Sequence, residues 1–188
     1  MNDEQTTINY GPLAGLIGTW QGDKGLDLAP EPDGSETSPY HETLTFEPIG
    51  DVCNAERQTL TVLHYRQIVR RNSNNEVFHD QTGYWMWDED TATVVHSLVI
   101  PRAVGLLAGG QHGEAPDNGA IILDVSAGID NPDWGIVQSP FMRDNAKTVA
   151  FTLRLTLEKD RLSYSETTTL DIYGRTFEHT DANELVRC

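Results

Sequence analysis

The chain has 188 residues, 38% of them hydrophobic and 8% aromatic, which is enough apolar side-chain area for one sizeable core and too much for a disordered chain. Its 13 Lys and Arg stand against 29 Asp and Glu, a formal charge of −16, which repels phosphate backbones and anionic headgroups and so excludes nucleic acid and a membrane surface as partners. The same acidity also suits a solubility or salt-adapted surface, so charge names no ligand.

A β-rich chain of this length normally closes one core, so residues 1–188 read as a single domain. Residues 1–10 are polar and acidic where a secretory signal needs a basic start and an apolar run, and no apolar stretch is long enough to span a bilayer. Cys53 and Cys188 are the only cysteines, too few for a disulfide framework or a thiolate metal site. The expectation is a cytoplasmic protein.

In chain order, Leu13, Leu16 and Ile17 fall at spacings of three and four, which predicts a short helical turn acting as a lid or plug ahead of the first strand. Pro30, Pro32, Gly34, Pro39 and their acidic neighbours predict a solvent-exposed loop insertion at about 23–39. From His41 the period becomes two, with Leu44 and Phe46 alternating with Thr43, Thr45 and Glu47. Strand-like runs follow at 59–70, 77–87, 93–100, 120–126, 147–157, 162–171 and 176–186. In the clearest, Val149, Phe151, Leu153, Leu155 and Leu157 share one face and Thr148, Thr152, Arg154 and Thr156 the other.

Short polar links at 72–75, 88–90, 159–161 and the Tyr173, Gly174 pair suit antiparallel neighbours. A meander of this kind leaves two open edges unless it closes on itself, so the predicted fold is all-β, a single closed antiparallel barrel with a short N-terminal helix. Residues 103–119 begin apolar and continue through Gly109, Gly110, Gly113, Pro116 and Gly119, predicting a strand or turn that opens into a flexible loop. An exposed strand or this segment offers a surface for pairing two copies, so a homodimer stays open.

None of the six histidines forms the i, i+4 helical pair of a zinc protease. His64, His79 and His96 lie on separate predicted strands, either converging on a metal or standing as ordinary wall residues. Trp85 and Trp87 face one way and Tyr84 and Met86 the other, giving either a packed wall or an aromatic cavity lining for a flat or greasy ligand. No Gly-x-Ser-x-Gly elbow, phosphate-cradling loop or dinucleotide fingerprint is present, so no catalytic residue is named.

Glu166 shares the face of Leu162, Tyr164, Thr168 and Leu170, a buried acid unless a bulge turns it outward. In the last strand Phe177, His179, Asp181, Asn183 and Leu185 share a face, so an inward Phe177 and Leu185 carry His179 inside. An interior histidine is either hydrogen-bonded or an iron ligand; spacing leaves both open.

Three stretches carry a family resemblance. Gly11, Pro12, Leu13, Ala14 followed by Leu16, Ile17, Gly18, Thr19, Trp20, Gln21 and Gly22 resembles the nitrobindin opening, G-P-L-x-x-L-x-G-x-W-x-G-x-G, although Lys24 stands at the last glycine and Gly25 comes one place late. Phe78 to Tyr84 resembles the family's central strand with its Gly and aromatic pair, and Leu162, Ser163, Tyr164 through Thr167, Thr168 and Thr169 to His179 resembles its paired terminal strands. The resemblance implies a ten-stranded barrel of fatty-acid-binding-protein-like or lipocalin-like shape. It further implies haem b as cofactor, with His179 as the axial ligand to the iron and nitric oxide binding or peroxynitrite isomerisation at ferric haem. Gly18, Thr19, Trp20, Gly22, Trp85 and Trp87 are the family-motif and cavity-lining candidates, and the search narrows to the barrel end closed by the first helical turn and the last strand.

The alternating apolar faces also suit a non-enzymatic intracellular carrier of a small hydrophobic ligand such as a fatty acid. A third reading is an enzyme acting on a small organic ligand through Glu166 or a cavity histidine.

Overall fold

The computed structural model describes residues 8–113 and 119–188. A 3-10 helix, Gly11–Leu16, is followed by β1 (Gly18–Glu31), β2 (Gly34–Asn54), β3 (Gln58–Arg71), β4 (Val77–Asp88), β5 (Thr93–Ile100), β6 (Val104–Gln111), β7 (Ile121–Gly128) and β8 (Ile136–Gln138). A short helix α1 (Pro140–Asn145) leads into β9 (Ala146–Glu158), β10 (Arg161–Ile172) and β11 (Arg175–Arg187). The strands pair antiparallel in the order β5-β4-β3-β2-β1-β11-β10-β9-β7-β6, and β5 pairs back onto β6, so ten strands form a closed barrel. At the β6–β7 seam the described ladder narrows to Gly109↔Ser126, and the small strand β8 takes up Val104, Gly105 and Leu106 of β6 instead. Among the described residues no helix is long and apolar enough to cross a membrane.

The first turn acts as the plug that the leucine spacing predicts. Leu13 and Leu16 are fully buried, the Trp20 indole N–H donates to the Leu16 carbonyl at 2.7 Å, and Gly11 and Gly15 lie against the side chains of Trp87 and Leu157. Arg187 stacks over the Trp20 ring at 4.2 Å and donates to the carbonyls of Gly15 and Ile17. That end of the barrel is therefore stoppered by apolar packing and satisfied polar groups.

Two segments depart from the sequence pattern. Residues 23–39 are the β1–β2 hairpin, turned at Pro32 and Asp33, and not a loop insertion. They lack the usual apolar inner face because here the inner face is polar: Asp27 and Ser38 are buried while Leu26 is half exposed. The second departure lies in β9, where Val149 is the extra residue at a register shift opposite Thr169 and Leu170. Thr148 therefore turns in, and only Phe151, Leu153, Leu155 and Leu157 keep the predicted buried face. Residues 104–111 form the strand expected as one alternative for this segment, β6, carried on through Gly109 and Gly110, while the loop expected after it falls largely at 114–118, outside the described residues. Neither β8 nor α1 has a counterpart in the sequence pattern; both are short, and α1 contributes no buried side chain.

Candidate functional site

The side chain that defines the site owes its position to a single residue of strand register. Between Gly22 and Gly25, β1 carries one more residue than either neighbour: Gln21↔Val186 becomes Leu26↔Ala182 on β11, and Gly22↔Glu42 becomes Gly25↔Tyr40 on β2. A bulge of this kind exchanges the faces of every residue beyond it. Trp20 points inward before it; Gly25 and Asp27 point inward after it. Glycine suits position 25, because a Cβ there would sit 2.0 Å from the Tyr40 ring and force the ring or the strand to shift. The glycine that comes one place late in the sequence is thus where the strand resets its phase.

Asp27 then faces a cavity of about 380 Å³ whose wall includes His179, Asp181, Glu166, His79, Arg71 and Arg102, a volume within the usual range for small-molecule sites. Its other walls are apolar, from Val69, Leu98, Ile100, Val104, Leu106 and Leu170 among others. Pro30, Glu31, Ile100, Arg102, Ile172 and Tyr173 place the cavity beside the β1–β2, β5–β6 and β10–β11 turns. It therefore lies at the end opposite the 3-10 helix, whereas the sequence pointed to the end that the first helical turn closes.

On one wall, neighbouring strands put three carboxyl groups in a row, since Asp27 pairs with Asp181 and Asp181 pairs with Glu166. His179 sits two places before Asp181 on β11, and its Nε2 lies 2.6 Å from Asp27 Oδ1 and 3.3 Å from Asp181 Oδ2. Its Nδ1 makes no hydrogen bond to a described residue. Among the described residues, Asp27, His179 and Asp181 are the one group with the geometry to hold a metal ion.

Crowding of like charge sets the protonation of this wall. Burial, then the charge of Glu166, with Asp27 adding to both, pushes Asp181 up to about 8 in spite of His179. Burial and the charge of Glu42 push Glu166 up to about 7. Burial works against a charged His179, yet the Asp27 hydrogen bond and the charges of Asp181 and Asp27 outweigh it and raise the imidazole above its ordinary value. His79 goes the other way: burial lowers it, and its Nε2 contact with Gln81 at 3.0 Å does not compensate. Arg71 is fixed at the rim, donating to Ser38 Oγ at 2.9 Å and lying over the Phe78 ring at 4.6 Å.

Below the cavity the barrel interior stays polar. Glu42 accepts from Gln67, Tyr164 and Asn183 at 2.6, 2.9 and 2.7 Å, and the Tyr40 and Tyr164 hydroxyls lie 2.6 Å apart. Each oxygen has partners, as a buried carboxylate requires. Deeper still, His96 is fully buried against Trp85, with ring centroids 4.3 Å apart; its Nε2 meets the Tyr65 hydroxyl at 2.9 Å while its Nδ1 has no partner.

Of the residues singled out by sequence, His179 lines the cavity, and so does Glu166, unturned by any bulge. Gly18, Thr19, Trp20 and Gly22 do not; they belong to the plugged end, where the glycines permit close approach to Arg187 and to the β11 backbone. Trp85 and Trp87 are core residues beneath the plug and do not line the cavity, although Trp85 borders a cleft of about 20 Å³ that leads inward from it. His64, His79 and His96 do not converge: His64 bonds Glu47 and Thr82 on the outer surface, His79 faces the cavity and His96 sits in the core. Sequence reading missed Asp27 altogether. Its only advance signal is the late Gly25, which a period-two scan reads as a broken motif rather than a change of face.

A family model described as the THAP4-like, heme-binding beta-barrel domain matches residues 9–187. Among solved structures, the crystal structure of Rv2717c from M. tuberculosis superposes with a TM-score of 0.70 at 22% sequence identity, covering 94% of each chain. At that identity the likeness shows the fold. No curated protein matches the chain.

Proposed function

The chain belongs to the THAP4-like, heme-binding β-barrel domains, and from that premise we propose that it holds haem b in the cavity beside β1, β10 and β11, with His179 as the axial ligand. The observation that carries this is the state of the His179 ring: one nitrogen is held by Asp27 at 2.6 Å, and the other meets no described residue inside a cavity of ligand size. Asp27 and Asp181 favour a proton on this ring; with the N–H toward Asp27 kept, the other nitrogen would give its lone pair to iron on releasing its own proton, as an iron ligand requires.

The donor set and the walls fit the group. Val69, Leu98, Ile100, Val104, Leu106 and Leu170 offer the apolar contact that a porphyrin face needs, and Arg71 and Arg102 offer cations for its carboxylates. When bound, haem would supply an iron, held by His179, to which nitric oxide or peroxynitrite would bind. The chain's own part is to orient the imidazole through Asp27, to exclude water along the apolar walls and to keep His79 neutral across the cavity.

A second reading, carriage of a small apolar molecule, draws on the same apolar walls. A fatty acid would have to set its carboxylate against Arg71 or Arg102 and away from Asp27, Asp181 and Glu166, since like charges repel.

The test is a hemin titration of the purified protein, followed by nitric oxide. A saturable Soret shift at one haem per chain and a further shift on adding nitric oxide are expected. Absence of saturation, together with displacement of a fluorescent fatty acid by oleate, would transfer the cavity to the second reading.

A further inference from the structure

Asp27 is 5% exposed, stands at the bottom of no ion pair with Lys or Arg among the described residues, and faces inward solely because of the bulge between Gly22 and Gly25. A buried carboxylate placed by a register change, with the His179 imidazole and the Asp181 carboxyl as its hydrogen-bond neighbours, is a costly arrangement for structure alone, because burying a charge costs desolvation even where it is paired. Its contact with His179 at 2.6 Å is short, in the range of charge-assisted hydrogen bonds.

We propose that Asp27 is a positioning residue that tunes the iron through His179: by accepting the ring N–H it pushes electron density into the imidazole and holds bound haem in the ferric state. The inference rests on His179 being the axial ligand. A carboxylate on the distal nitrogen of a metal-bound histidine raises the basicity of the ligating nitrogen. A stronger donor stabilises ferric iron over ferrous, because the higher charge gains more from it; hydrogen bonding to the axial ligand is one of the protein's levers on haem potential. Asp181, in register with Asp27 on β11 and 3.3 Å from the same nitrogen, keeps the ring from turning away.

The experiment compares hemin-loaded parent, Asp27→Asn and Asp27→Glu by spectroelectrochemical reduction. Asp27→Asn keeps the shape and an accepting oxygen but removes the charge. Its ferrous-to-ferric ratio at a fixed applied potential is expected to rise about tenfold, equivalent to about 59 mV for a one-electron couple, and Asp27→Glu is expected to return it toward the parent. A resonance Raman spectrum of the ferrous parent needs no variant and decides the matter should Asp27→Asn fail to fold or to take up hemin: the iron–imidazole stretch is expected nearer to that of a haem imidazolate complex than of a neutral imidazole complex. Hemin uptake with equal potentials in parent and Asp27→Asn, or a parent stretch at the neutral-imidazole position, overturns the role of Asp27 alone. A parent that takes up no hemin overturns the haem reading itself, and the inference with it.

Discussion

Nε2 of His179 meets Oδ1 of Asp27 at 2.6 Å across the β1–β11 pair, on a diagonal, because the residue in register with Asp27 is Asp181. Diagonal neighbours on one face of a sheet are within reach of each other only while both strands keep their phase. The contact therefore depends on the bulge before Gly25 as much as on the two side chains.

Gly25→Ala tests that dependence. Its Cβ would sit 2.0 Å from the Tyr40 ring, so either the ring or the strand must move, at roughly 1–3 kcal/mol for an overpacked site. Urea denaturation is expected to report that loss, and hemin affinity to fall with it as Asp27 is displaced. An unchanged midpoint would mean that the bulge has slack that the contact distances deny.

Glu166 gives the wall a pH signature. With its pKa up from 4.5 to about 7, the folded state retains a proton that the unfolded chain has released over that interval. The corresponding stability is full below about 4.5 and is lost as pH rises through about 7. Glu166→Gln, neutral throughout, is expected to exceed the parent by roughly 1–3 kcal/mol at pH 8 and to match it at pH 4. Denaturation at both pH values checks this, and a difference of equal size at the two would contradict it.

His96 sets the acid limb in the opposite sense. Burial lowers it from 6.5 to about 3, so it is neutral in the fold while the unfolded chain takes up a proton below 6.5. Its stability is present above 6.5 and is lost as pH falls toward 3, by up to about 1.4 kcal/mol per pH unit. His96→Phe keeps a ring against Trp85 and removes the unpaired Nδ1. Its stability is expected to fall less steeply between pH 6 and pH 4 by about that amount; parallel curves for the two proteins would assign the slope to other groups.

The plug separates from the cavity by a different substitution. Trp20→Phe removes the 2.7 Å donor to the buried Leu16 carbonyl, at about 1–3 kcal/mol for an acceptor left unsatisfied. Because Trp20 lies at the stoppered end, stability is expected to drop while hemin affinity stays at the parent value. A matching loss of hemin affinity would tie the opening motif to the ligand.

Much of this is legible in the sequence alone. Period-two alternation found most strands, and the face shared by Phe177, His179, Asp181, Asn183 and Leu185 follows from strand geometry, with Asn183 and Leu185 buried as that face requires. What escaped was whatever depends on a change of phase. Asp27 and Val149 both lie at or beyond one-residue bulges, and a bulge leaves no mark on composition. The β1–β2 hairpin escaped for a related reason, since a strand whose inner face is Asp27 and Ser38 carries the polar and proline-rich composition of a loop. The aromatic residues misled in the other direction: Trp20, Trp85 and Trp87 suit a ligand-lined cavity as well as they suit a core, and only the position of the plug decides.

The most direct measurement of the central claim is the absorption spectrum of hemin-loaded parent and His179→Ala, each without and with added imidazole. The parent is expected to give a saturable Soret shift that imidazole barely alters, while His179→Ala binds hemin weakly and regains the parent-like spectrum when imidazole supplies the missing ligand. Equal affinity and the same Soret position in His179→Ala without imidazole would remove His179 from the iron.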